Sequence, residues 1–330
     1  MKICEHVFTR WIGYVVVDED PSESSVEEDV VKVFEHETPG EILIIDPDTE
    51  ELDLNHSRLT KLENLEPLTK IERLCFTWNL IKKIENLHTL TTLVELELRD
   101  NQIKVIENLD ALVNLEVLDL SFNRIKKLEG LDHLCKLKKL FLSSNRLTDI
   151  ENISHLKNLT SLELGDNKLR EIANLNGLEN LTNLFLGKNK ITRIQNLDDL
   201  SNLEVLSLQD NRLVKIENLE NLTKLEQLYL SENGLTHIEG LENCPKISTL
   251  DVANNRIKKI ENIEHLTDLE EFWMNDNHVE DWGTVQNLTA NKKLLTVYLE
   301  RNPVATDPNY RRKIKLLLPW LTQLDATLCR

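Results

Sequence analysis

An aliphatic residue recurs at a constant step of 22 residues from Ile71 to Leu269, through Leu93, Leu115, Leu137, Leu159, Leu181, Leu203, Leu225 and Ile247. Thr49 extends the series backward, and Leu294 extends it forward after one longer step of 25, giving twelve units with atypical ends. The pattern inside a unit is also constant: Leu115-x-x-Leu118-x-Leu120-x-x-Asn123 returns as Leu137-x-x-Leu140-x-Leu142-x-x-Asn145. One unit cannot bury these aliphatic positions by itself. Stacked copies bury them against one another, so such a chain folds as a quasi-one-dimensional array with a continuous core.

Two rhythms alternate within each unit. The Leu-x-Leu segment has period two, which places its leucines on one face of a strand and the intervening residue on the other. Ile125, Leu128, Leu131 and Leu134 are then spaced by three, a spacing that suits short 3₁₀-like turns better than a long α-helix. The Asn that closes each strand, from Asn79 and Asn101 through to Asn302, sits where the chain turns away. Its amide can both donate to and accept from backbone groups of the turn, so it is read as structural and not as a ligand.

The pattern resembles the leucine-rich repeat over residues 49–330. The resemblance implies an α/β solenoid of about twelve repeats, with a concave parallel β-sheet and a convex side of short 3₁₀ or helical turns. Twelve strands at about 4.8 Å spacing make a sheet on the order of 50 Å long, the dimension of a protein partner and not of a metabolite.

Three regions follow: 1–48, acidic and expected to be disordered; 49–302, the solenoid; and 303–330, a C-terminal cap. Residues 18–37 hold nine acids and a single Lys, too much charge for a packed core. Glu41 to Asp46 is expected to be a leading strand. Asp307-Pro308 predicts a helix start, with Asp as N-cap and Pro at the first helical position. Tyr310, Ile314, Leu317 and Leu318 then share one face, and Pro319 ends the helix. That face is expected to cover the open end of the core, leaving the basic run Arg311, Arg312, Lys313 and Lys315 in water.

With 39 Lys+Arg against 57 Asp+Glu, the formal net charge is -18. This argues against nucleic acid and for a basic or mixed-charge protein partner. No run of about 18 apolar residues is present, so no membrane span is expected. The five cysteines are an odd number without C-x-x-C spacing, which points to reduced thiols. Cys244 stands in the aliphatic column held by Leu222 and Leu266. No catalytic motif occurs and the nine His residues have no ligand spacing, so neither enzyme, metal nor cofactor is expected.

The informative positions are those the repeat does not dictate. The residue between the second and third Leu must face the concave side. That column reads Asp53, Cys75, Glu97, Asp119, Phe141, Glu163, Phe185, Ser207, Tyr229, Asp251, Trp273 and Tyr298. Five of the 16 aromatic residues stand in it, interspersed with carboxylates, which is the composition of a protein-binding hot spot. Glu271, Asn275, Glu300 and Arg301 flank Trp273 and Tyr298, so the C-terminal half is expected to be the strongest anchor. Packing between neighbouring strands is the alternative use of these rings.

The tail Ile-x-x-Ile-Glu-Asn-Leu (Ile84-Glu85-Asn86-Leu87, Ile106-Glu107-Asn108-Leu109), the run Glu271-Phe-Trp-Met-Asn-Asp-Asn277 and Asp307-Pro-x-Tyr-Arg-Arg312 resemble the regulatory-subunit-7 family of type-1 protein phosphatase. The resemblance implies a non-catalytic regulator that binds the phosphatase catalytic subunit along the concave face. It implies contacts at Asp119, Phe141, Glu163, Phe185, Asp251, Glu271, Trp273 and Tyr298. It also implies a ternary complex with a second inhibitory subunit and residence in nucleus and cytoplasm. A monomer is expected from the two capped ends. The rival readings are another intracellular leucine-rich-repeat scaffold, either tubulin- or axoneme-associated, or a splicing-type adaptor.

Overall fold

The computed structural model describes residues 15–18, 31–35 and 41–329. Twelve three-residue strands, from β4 (Glu51–Asp53) to β15 (Thr296–Tyr298), lie in chain order in one parallel sheet. The constant step produces exact-register pairing: Leu118 stands beside Leu96 on one side and Leu140 on the other. A slip of one residue would turn every strand leucine out to water, so register is strongly specified. The leucines and isoleucines of all units form a single buried core from Ile45 to Leu324. Cys244 is fully buried in it, as its column predicts.

The convex side carries the expected short 3₁₀-like turns, as single i→i+3 bonds and not as continuous segments. In the regular repeats it consists of isolated turns, such as Leu134 N–H to Leu131 O at 3.1 Å followed by Leu137 N–H to Leu134 O at 3.0 Å. Once the strand and its turns are made, a 22-residue unit has too little chain left for a helix. Helical structure enters where the eleventh unit carries three more residues: α1 (Trp282–Val285) runs into a 3₁₀ segment, Gln286–Ala290.

Two asparagine ladders hold the turns. In the first, Asn145 Nδ2 donates to Leu120 O at 2.9 Å in the preceding repeat and to Leu142 O at 3.0 Å in its own. Its Oδ1 accepts Ile125 N–H at 3.0 Å, and the arrangement recurs along the array. The second ladder is the Asn of the Ile-Glu-Asn-Leu tail. Asn86, Asn108, Asn152 and their counterparts have φ between 55° and 60°, left-handed geometry that Asn tolerates better than most residues. Each reaches back 24 residues, as Asn108 Nδ2 does to Ile84 O at 2.6 Å. Gly130 and Gly240 replace Asn in this ladder, at φ 66° and 68°.

The expectation for the acidic region 1–48 falls largely outside the described residues. Three strands are described within it: β1 (Val15–Asp18), β2 (Val31–Glu35) and β3 (Glu41–Ile45), with β3 central and antiparallel to both others. Their Val, Ile and Phe residues have high strand propensity. β3 matches the expected leading strand, and Ile45 at its end joins the solenoid core.

At the other end, α2 spans Tyr310–Leu317 and begins two residues later than Asp307-Pro308 predicts. A 3₁₀ segment, Pro303–Thr306, precedes it, and Asp307 closes that segment. The Asp307 side chain accepts Asn309 N–H at 2.8 Å and pairs with Lys313, forming a turn instead of a cap. Tyr310, Ile314 and Leu318 are buried as expected, whereas Leu317 is half-buried and Arg311, expected in water, is half-buried with its Nη1 donating to Leu324 O at 3.1 Å. The short strands β16 (Gln323–Leu324) and β17 (Thr327–Leu328) extend the sheet. Asp325 Oδ1 accepts the N–H groups of Leu299 and Glu300, each at 2.9 Å, and the Tyr310 hydroxyl at 3.2 Å. It thus terminates the polar ladder with an acceptor where no further Asn follows.

Candidate protein-binding face

The parallel register brings the concave column together in a line. Asp119, Phe141, Glu163, Phe185, Ser207, Tyr229, Asp251, Trp273 and Tyr298 occupy successive facing positions. Seven of the eight expected contact residues lie in this column. The eighth, Glu271, is two residues before Trp273 on the same strand and therefore on the same face.

In the first half of the column an acid alternates with a ring, so Phe141 lies between Asp119 and Glu163 and not beside Phe185. Neighbouring strands therefore cannot bury these phenyl rings against each other. At the C-terminal end the alternative does hold: Trp273 and Tyr298 meet edge to face, with ring centroids 6.1 Å apart. Trp273 Nε1 is buried without an acceptor among the described residues. The Tyr298 hydroxyl accepts Gln323 Nε2 at 2.7 Å.

The acids are not equally presented. Asp251 is only 6% exposed, deeper than a free surface acid. Its carboxylate accepts Ser231 Oγ at 2.7 Å and Ala253 N–H at 3.0 Å. Burial pushes its pKa up, and those two hydrogen bonds counteract it. Asp119 is raised for the same first reason, opposed by Ser121 N–H at 2.8 Å and by the charge of Arg99. Glu163 and Glu271 are half-buried and keep their carboxylates more available. Burial, then Glu271 and Asp251, raise the Tyr229 phenol. The Cys75 thiol is pushed up to about 12 by burial and by its hydrogen bond to Glu97, which makes it a poor nucleophile.

A second set of aromatics lies one turn beyond the strands. Trp78 and Phe122 are 53% and 43% exposed. They occupy the left-handed position before the ladder Asn, where other repeats place Asp100, Asp166, Asp210 or Asn254. His56 stacks on Trp78 with centroids 5.5 Å apart, and Arg99 lies 4.7 Å from the Phe122 ring centre. The concave-column reading missed them because they belong to the next column. An aromatic immediately before the ladder Asn is the signal that would have found them.

The array, its two ladders and its cap define a leucine-rich-repeat protein, and the chain belongs to that family: a Leucine-rich repeat family profile matches residues 76–185 and 226–327. Among curated proteins the chain is similar to protein phosphatase 1 regulatory subunit 7. It is 56% identical to the Homo sapiens protein over 52 residues, which cover 16% of this chain and 14% of that relative. It is 55% identical to the Danio rerio protein over 49 residues, 15% of this chain and 14% of that one. Among solved structures, an internalin of Listeria monocytogenes superposes with TM-score 0.70 at 23% identity, over 87% of this chain and 90% of that one. A leucine-rich-repeat protein of Leptospira interrogans follows at TM-score 0.66 and 23% identity, with 84% of each chain covered. These two likenesses concern the fold. Among the described residues no helix is long and apolar enough to cross a membrane.

Proposed function

We propose that this chain is a non-catalytic regulatory subunit that binds the catalytic subunit of type-1 Ser/Thr protein phosphatase through its concave face. The observation that carries this reading is the in-register column of alternating acids and rings ending in the Trp273–Tyr298 pair. The similarity over 52 residues to protein phosphatase 1 regulatory subunit 7 supports this choice of partner. Phe141, Phe185, Trp273 and Tyr298 fill apolar recesses of the partner. Glu163 and Glu271 pair with its Lys and Arg side chains and set register. Asp119 and Asp251, already hydrogen-bonded within the chain, act as a fixed negative field more than as mobile ion-pair partners. Control of phosphatase activity, maturation or localisation, a ternary complex with a second inhibitory subunit, a monomeric free state, and residence in nucleus and cytoplasm complete the proposal.

The test is calorimetric titration of the full chain with purified type-1 catalytic subunit, beside the variant carrying Glu271→Arg and Trp273→Ala. The proposal expects binding by the native chain and its loss in a variant that remains folded. Absence of binding by the native chain would overturn the partner assignment while leaving the fold intact.

A further inference from the structure

The residue that follows the ladder Asn forms a column of its own. It reads Arg124, Arg146, Lys168, Lys190 and Arg212 in five successive repeats, then Gly234 and Arg256. The backbone holds the five in line: each donates its N–H to the repeat before it, from Arg124 to Ile103 O through Arg212 to Ile191 O, every one at 2.8 Å. Lys190 is half-buried and the other four are exposed.

Two observations bear on what this ladder can bind. First, the acids of this chain outnumber its bases, 57 to 39. Some exposed bases elsewhere find carboxylates, as Lys70 does with Asp48, Lys138 with Glu116, Arg193 with Glu217 and Lys293 with Asp268, while others, such as Lys126, Lys157 and Lys258, do not among the described residues. Among the described residues, none of the five ladder cations makes an ion pair. Second, the neighbouring left-handed column changes character freely across the same repeats, from Phe122 through Ser144, Asp166 and Lys188 to Asp210, whereas this column keeps its positive charge at each step.

We propose that this ladder is a docking strip for an extended, carboxylate-rich polypeptide segment of a partner protein. Five rungs at about 4.8 Å span about 19 Å, the length of roughly six extended residues at about 3.3 Å each. A peptide can place its carboxylates intermittently and so pass the exposed Asp166 and Asp210 beside the strip. A continuous phosphate backbone cannot avoid them, and the net charge of -18 opposes it further. The strip is separate from the concave column, so it leaves that face free for another partner.

The experiment is fluorescence anisotropy of the full chain with a labelled peptide of alternating Glu and Ser, at low ionic strength. A single-stranded RNA of the same length serves as the competing polyanion. Arg146→Gln/Lys168→Gln/Lys190→Gln is expected to weaken peptide binding by about tenfold or more while the melting temperature stays unchanged. The control variant Lys70→Gln/Lys138→Gln/Lys293→Gln, with the same loss of charge, is expected to bind like the native chain. Should the first variant fail to fold, single charge reversals at Arg146 and Lys168 must each weaken the peptide. No peptide binding by the native chain, an equal loss in the two triple variants, or tighter binding of the RNA would each overturn the proposal.

Discussion

Trp273 and Tyr298 face each other across the last two long-array strands, with ring centroids 6.1 Å apart and planes inclined by 66°. Their contact makes them one unit. Trp273→Ala and Tyr298→Ala are each expected to weaken phosphatase binding by about 2 kcal/mol. Because the rings touch, the two losses should couple by about 0.5–1.5 kcal/mol in a double-mutant cycle. Phe141 and Phe185 are two strands apart, about 10 Å, and their losses should add to within about 0.5 kcal/mol. Calorimetry on both cycles checks this, and additivity at Trp273–Tyr298 would contradict the pairing.

The Asn ladder makes a stability prediction independent of any partner. Asn145→Ala removes donors to Leu120 O and Leu142 O and the acceptor of Ile125 N–H. Buried backbone groups are then left unpaired, and urea denaturation should show a loss of about 1–3 kcal/mol. Arg146→Ala, one residue on and exposed, should change stability by less than about 0.5 kcal/mol.

Gly130 tests the second ladder. At φ 66° an added Cβ would lie 2.4 Å from Ile106 O. That carbonyl is equivalent to the one that Asn152 Nδ2 reaches at Leu128 O, 2.8 Å away. Gly130→Ala therefore meets a close contact and a left-handed backbone together, and should cost more than about 1 kcal/mol. Gly130→Asn can move the turn outward and recover the amide hydrogen bond, so its midpoint in thermal unfolding should lie between those of the native chain and Gly130→Ala. A ranking with Ala above Asn would refute this account.

Asp251 predicts a pH dependence. Its folded pKa is raised above the ordinary aspartate value, chiefly by burial. The folded state therefore binds more protons than the unfolded state over the interval upward from about 3.9. Stability contributed by this group is greatest below that interval and falls as pH rises through it. Asp251→Asn should remove this slope while keeping an acceptor for Ser231 and Ala253. Urea midpoints measured across the mildly acidic range compare the two proteins, and identical slopes would show that Asp251 is not the source.

The face and the order of its residues were legible in the sequence because period two and a constant 22-residue step leave one solution. Any residue between two strand leucines must lie opposite its counterpart 22 positions away. The depth of each residue was not legible. Asp251 sinks to 6% exposure because Ser231 Oγ comes from the preceding repeat to meet it, while Glu163 in the same column has no such neighbour among its hydrogen bonds. The helix start was also misplaced, because Asp307-Pro308 is a good cap sequence locally but the 3₁₀ segment before it and Lys313 across the turn claim Asp307.

The sequence by itself thus determined the solenoid, the strand register, the buried aliphatic columns and the identity of the concave residues. These follow from local periodicity repeated at constant length, and stacking merely multiplies them. Only the tertiary structure decided which acids are buried and hydrogen-bonded, where Trp78 and Phe122 emerge, which rings touch, and which cations lack a carboxylate. Those properties depend on side chains from different repeats meeting in space, and on left-handed turns whose direction a one-dimensional pattern does not encode.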